Sequence, residues 1–217
     1  MDLVYLLSMM GCLVQLFRTG FARRLPLFAL ATCASIVFEI SYQPYSMAWL
    51  RDWYPWVVSP LLVCRALAVG EAFVVSSTGF RHRRMIAAAA LFLALLFAAV
   101  IAWRFASADV LHSAIQARRV VVVGLSAFLG VYILLMWSVG YRRCGLLDFH
   151  VVLLFLLCSV MGLSAVLRMA YPVGIWQAAN DSSYAACALL YITWGVAFST
   201  PAHPPVLPLL GTHSTVG

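Results

Sequence analysis

The chain has 217 residues, of which 65% are hydrophobic and only 10% charged, with a mean hydropathy of +0.98 and a formal net charge of +7. A water-soluble domain carries about 45–50% apolar and about 25% charged residues, so a soluble fold, a disordered chain, a collagen and a disulfide scaffold are excluded. A polytopic membrane protein remains.

A membrane-crossing helix needs ~20 mostly apolar residues. The first such run is Leu3–Phe17. It has no basic residue before it and no small-residue cleavage site after it, so it is read as a retained helix and not as a secretory signal. The second run is Leu25–Tyr42. The following stretch, Ser41–Val58, holds Tyr42, Tyr45, Trp49, Trp53, Tyr54 and Trp56. That composition predicts an interfacial segment with an aromatic belt, or a cover over a pocket. The third and fourth runs are Trp56–Thr78 and Met85–Trp103. The fifth is Val120–Val139, and Asp109 is placed to cap an extension back to Val110. At 1.5 Å per residue that helix is ~45 Å long against a ~30 Å hydrocarbon core. Its first turns, with His112, Gln116, Arg118 and Arg119, would stand above the outer surface. The sixth run is Leu146–Tyr171. A connector, Tyr171–Ser182, then contains Pro172, Gly174 and Trp176, and its Asn180 and Asp181 are natural caps for a seventh run, Ser183–Thr200. Residues 201–217 carry Pro204, Pro205 and Pro208 and no charge, which predicts a disordered tail.

Spans in lipid are helices or closed barrels, because hydrocarbon satisfies no backbone hydrogen bond. These runs are too long and too continuous for barrel strands. The expected fold class is therefore all-α: residues 1–200 form a bundle of seven transmembrane helices, and 201–217 a cytoplasmic tail.

Orientation follows from arginine, the only basic residue type besides histidine. Arg18, Arg23 and Arg24 follow the first run, Arg81, Arg83 and Arg84 the third, and Arg142 and Arg143 the fifth. The opposite loops hold Arg51 and Arg104, with Arg118 and Arg119 at the mouth of the fifth run. The positive-inside rule then puts the N-terminus outside and the C-terminus in the cytoplasm. Arginine without lysine suggests a GC-rich bacterial genome, and hence a bacterial inner membrane. Basic residues scattered over short loops do not make a nucleic-acid site.

Charges inside spans are costly and are usually paired or functional. Glu39 and Arg168 both fall about 6 Å below the outer boundary, so a Glu39–Arg168 pair is allowed. Arg65 lies roughly 13 Å deep and can snorkel toward Glu39. With Arg118 and Arg119 above, the outer half holds an excess of positive charge. Two readings stand: an outward-open pocket for a small anion or a lipid headgroup, or a structural cluster locking the second, third and sixth helices, with Arg168 free to snorkel to headgroups. Glu71 lies about 11 Å from the inner end, level with Gln15 and Thr32, which predicts a Gln15–Thr32–Glu71 polar cluster. A neutral Glu71 bonded to Gln15 and a proton-carrying Glu71 are the two forms of that expectation.

Other chemistry finds little support. A retinal Schiff base needs a lysine, and there is none. The histidines His82, His112, His150, His203 and His213 fall in loops, at helix ends or in the tail, which disfavours haem. Asp109 with His112, and Asp148 with His150, are single pairs better suited to helix starts than to zinc. No P-loop, GxSxG or dinucleotide fingerprint is present. Cys12, Cys33, Cys64, Cys158 and Cys187 sit in apolar runs without ligand spacing and read as small buried hydrophobes. No cofactor and no catalytic set are expected. Ser126 and Gly130 form a small-xxx-small pair suited to a helix contact.

The N-out seven-helix plan, the Arg23-Arg24-Leu25-Pro26 run leading into the second helix, and the buried Glu71 resemble a group of small bacterial seven-helix membrane proteins. Those are similar in turn to the membrane sensing regions of bacterial histidine kinases. The resemblance implies a sensing module whose output lies on a partner chain. The leading expectation is accordingly a non-enzymatic ligand-sensing module or a subunit of a larger membrane complex, with lipid around it and a partner membrane protein or second copy beside it. The alternative is a small transporter or channel using the outer arginines and Glu71. Pro60 is the only proline within an apolar run other than at its start, and it lies near an end, which counts against transport.

Overall fold

Every regular element described is helical. The structure, a computed structural model, describes residues 3–42, 47–77, 110–138, 145–170 and 173–199, with isolated positions between 82 and 100. Helix α1 spans Leu3–Arg18, a 3₁₀ turn Phe21–Arg23, α2 Pro26–Tyr42, α3 Met47–Ser76, α4 Val110–Ser138, α5 Leu146–Ala170 and α6 Val173–Ala197. Three of these contain stretches long and apolar enough to cross a membrane: Trp56–Ser76, Ala114–Ser138 and Leu146–Ser164. Their outward side chains match that solvent. Trp56 is 76% exposed, Trp137 78% and Leu163 61%, an apolar surface that water would penalise and hydrocarbon does not.

Two helices begin earlier than the sequence reading expected. Helix α3 starts at Met47 and absorbs most of the stretch assigned to an interfacial belt, with Pro55 and Pro60 inside it. Each proline removes one backbone donor, which a membrane helix tolerates where neighbouring groups and local adjustment of the helix satisfy the freed carbonyl. Helix α6 starts at Val173, so Asn180 and Asp181 are mid-helix residues and not caps. The neighbouring Ser182 and Ser183 hydroxyls donate back to the carbonyls of Ala178 and Ala179 at 2.8 and 2.6 Å. The two serines thus satisfy their hydroxyls within the helix. Helix α4 does start at Val110, as the extended reading of the fifth run predicts; Asp109 lies outside the described residues, as does the tail 201–217. Of the fourth predicted span, Met85, Ile86, Ala88, Ala89, Phe92, Leu96 and Val100 are helical and exposed.

Among the described residues the helices close into a ring: α1 packs on α2, α2 on α3, α3 on α4, α4 on α5, α5 on α6 and α6 on α1, with α3 also touching α5 across the middle. Side-chain pairs give the directions. Helices α2 and α3 are antiparallel, since Ser35 meets Arg65 and Phe28 meets Glu71. Helices α3 and α4 are parallel: Tyr54 meets Arg118 near their starts, and Ser76 meets Tyr132 near their ends. Helices α1 and α6 are also parallel, with Tyr5 against Tyr184 and Cys12 against Gly195. The end of α3 and the start of α4 therefore lie at opposite ends of the bundle.

The α4–α5 seam uses the small residues that the sequence marks. Ser126 and Ser159 hydroxyls lie 2.7 Å apart. A Cβ at Gly130 would stand 3.1 Å from the Phe155 ring, and one at Gly162 3.3 Å from Val123 Cγ2. Small residues let two backbones approach where no hydrophobic force drives helices together. A Ser126→Ala/Ser159→Ala double-mutant cycle is expected to give a coupling of about 0.6 kcal/mol in thermal melts; additive losses would exclude the bond. Gly162→Leu is expected to cost about 1–3 kcal/mol by overpacking.

Candidate functional site

Three polar features stand in the bundle, and the lowest begins with a helix lacking its own cap. Gly20, at φ +79°, closes α1 in the left-handed conformation that glycine adopts without strain. The chain then passes through the 3₁₀ turn, and Leu25 becomes the residue before α2, its carbonyl accepting from Ala29 at 3.1 Å. Leucine has no side-chain acceptor for the open N–H groups of the first turn. Pro26 has no N–H to satisfy. The next two donors, Leu27 and Phe28, give their N–H groups to Glu71 of α3, to Oε1 at 3.0 Å and Oε2 at 2.8 Å. Both oxygens accept, the pattern of an ionised carboxylate, and the positive end of the α2 dipole favours that charge.

This corrects the expected Gln15–Thr32–Glu71 cluster. Thr32 Oγ1 donates to the carbonyl of Phe28, one turn back, at 2.9 Å. Gln15 takes part through its backbone carbonyl, which accepts from Thr19 Oγ1 at 2.7 Å. The physical reason is competition. Two converging N–H donors at a helix dipole bind a carboxylate better than one neutral amide and one hydroxyl do.

His150 corrects a second expectation. It lies in the second turn of α5 but is only 1% exposed, so it is a core residue and not a boundary one. Its partner in the sequence pattern, Asp148, stays at the boundary and accepts the Gly145 N–H at 3.2 Å. The His150 ring sits among Phe28 (4.6 Å between centroids), Trp194 (5.7 Å) and Phe198 (6.0 Å). Trp194 Nε1 donates to His150 Nδ1 at 3.1 Å, which leaves the ring proton on Nε2. That Nε2 is buried and makes no hydrogen bond among the described residues.

The third feature is a charge in the middle. Arg65 extends from α3 into a cavity of about 30 Å³ lined by residues of α2 to α6, including Thr32, Ser35, Cys158, Met161 and Tyr191. Its Nη2 donates to Ser35 Oγ at 3.2 Å and its Nη1 to Met161 Sδ at 3.6 Å. Ser35 is one helical turn short of Glu39, so Arg65 snorkels in the expected direction but stops there. Among the described residues it forms no ion pair. Glu39, 7% exposed, lies within electrostatic reach of Arg118 first and Arg65 second. Arg118 itself donates to Tyr54 Oη at 3.1 Å and sits 5.9 Å over the Phe38 ring. The structure thus brings together Glu39, Arg118 and Arg65 of the expected outer set. Arg119 follows Arg118 on the same helix, half-buried. The Arg168 side chain lies outside the described residues, and with it the Glu39–Arg168 pair.

No family model matches the chain, and no curated protein or solved structure matches it either. Sequence reasoning missed the His150–Trp194 pair because neighbouring Asp148 made a boundary role plausible. The signal available was aromatic: Phe28, Trp194 and Phe198 fall at the same level once the helix directions are known.

Proposed function

We infer that this chain is a non-catalytic, ligand-sensing module or complex subunit of a bacterial inner membrane. It crosses the bilayer seven times, with its N-terminus outside and its C-terminus in the cytoplasm. Support for the odd number of crossings comes from the parallel α3–α4 pair: a chain leaving α3 at one end of the bundle and starting α4 at the other must return across it. The Met85–Trp103 run is the apolar segment available for that return. Reporter fusions are expected to place the two termini in opposite compartments; the same compartment for both would reject the seven-span plan.

The observation carrying the sensing role is Arg65, a guanidinium beside a cavity at the centre of an apolar bundle with no carboxylate in contact among the described residues. Intramembrane cations of this kind usually serve function. The second reading, a transporter, asks Glu71 to move protons. Its engagement with the first turn of α2 argues for a structural duty instead. Purification in mild detergent tests the subunit role. A second membrane chain at fixed stoichiometry is expected, and a lone monodisperse particle would argue against it.

A further inference from the structure

We propose that the Arg65 cavity is a binding site for one small monovalent anion of halide size. The inference rests on the ligand-sensing reading for its consequence, but binding itself is read separately from any partner.

Size comes first. A space of about 30 Å³ exceeds the roughly 10–15 Å³ that one water needs, so it holds a few waters or one small ion. Lipid headgroups and multi-carbon carboxylates are larger. A halide ion, close to water in size, fits.

Charge comes second. The guanidinium has five N–H donors, and its two polar contacts are a serine hydroxyl and a thioether, neither of which carries charge. The Ser35 hydroxyl already gives its proton to the carbonyl of Ala31 at 2.9 Å, so it serves Arg65 as an acceptor. Glu39 has Arg118 as its stronger electrostatic neighbour. Among the described residues, one carboxylate, Glu39, faces two guanidiniums, Arg118 and Arg65, which leaves one positive charge over, and that charge borders the cavity. A water would solvate it, whereas a monovalent anion neutralises it. In a low-dielectric setting the difference is large.

Surroundings come third. The remaining walls are mostly apolar, from Ala31, Ala68, Val69, Val122, Leu125 and Leu154. Such walls favour an ion that sheds its water readily. Tyr191 and Thr32 add the polar part of the lining.

The test is a thermal melt of the purified full-length protein in sodium chloride, sodium bromide and sodium gluconate at equal ionic strength. Gluconate is too large for the cavity. Chloride and bromide are expected to raise the melting temperature saturably, by about 5 °C once well above the Kd. Arg65→Gln should abolish the increment. Ala68→Val, which keeps the guanidinium but fills the cavity, should abolish it too. Equal melting in all three salts, or an increment that survives in both variants, overturns the site. Anomalous scattering from bromide-soaked wild-type crystals decides the case even where neither variant folds. A peak beside the Arg65 guanidinium supports the site, and its absence rejects it.

Discussion

Glu71→Ala is expected to lower the melting temperature by about 10 °C, the largest effect of any single polar substitution in the bundle. The reasoning is an account of backbone donors. At the start of α2, Leu25 N–H goes to the Phe21 carbonyl at 2.8 Å, Pro26 has none, and Leu27 and Phe28 depend on Glu71. Removing the carboxylate strands two donors, at about 1–3 kcal/mol each, and removes a charge from the helix dipole. A loss of about 2–4 kcal/mol corresponds to roughly 5–15 °C for a chain of this length. Glu71→Gln should cost about half as much, because one oxygen still accepts while the amide NH₂ faces an N–H. Hydrogen exchange at Leu27 and Phe28 should accelerate in both variants and remain unchanged near Val69 on α3. An unaltered melting temperature in Glu71→Ala would mean that these donors have other partners.

Trp194→Ala is the apolar counterpart. Trp194 is fully buried and touches Phe28 at 4.8 Å, Tyr191 at 5.4 Å and His150 at 5.7 Å between ring centroids. It joins α2, α5 and α6 at one end of the ring. A large cavity among rings that cannot collapse costs about 3–5 kcal/mol. The substitution also strands His150 Nδ1, which then has no donor. Trp194→Phe separates the two effects. It keeps most of the ring volume and removes the N–H, and is expected to cost about 1–2 kcal/mol. Melts of the two variants side by side check this. Equal losses would assign everything to the hydrogen bond, against the packing argument.

The helical class, the long α4 and the small-residue seam were legible because each depends on local pattern: apolar run length, an early helix start, serine and glycine spaced by one turn. The level of Arg65 below Glu39 was legible too, since rise per residue is fixed. Glu71 failed for a particular reason. Depth along the sequence matches depth in the bundle only where helix ends lie flush, but α3 runs five residues past Glu71 to Ser76 while α2 starts beside it. That stagger of about 7 Å replaces a side-chain cluster by a helix N-terminus. The starts of α3 and α6 escaped the pattern because the aromatic residues of Ser41–Val58 resemble an interfacial belt, and Asn180 and Asp181 resemble helix caps.

The union of α1 with α6 sets an order on assembly. Helix α1 packs far more against α6, which follows it by about 150 residues, than against its sequence neighbour α2. Its best partner therefore does not exist until nearly the whole chain has been synthesised. Such distant pairing is slow, because the loop it closes contains almost the entire polypeptide. Until then the flank of α1 with Tyr5, Met9, Cys12 and Leu16 lacks the cover that α6 gives it. Completion of the ring is thus a late event, and a nascent chain stopped before Val173 would have a seam that nothing in it can shut.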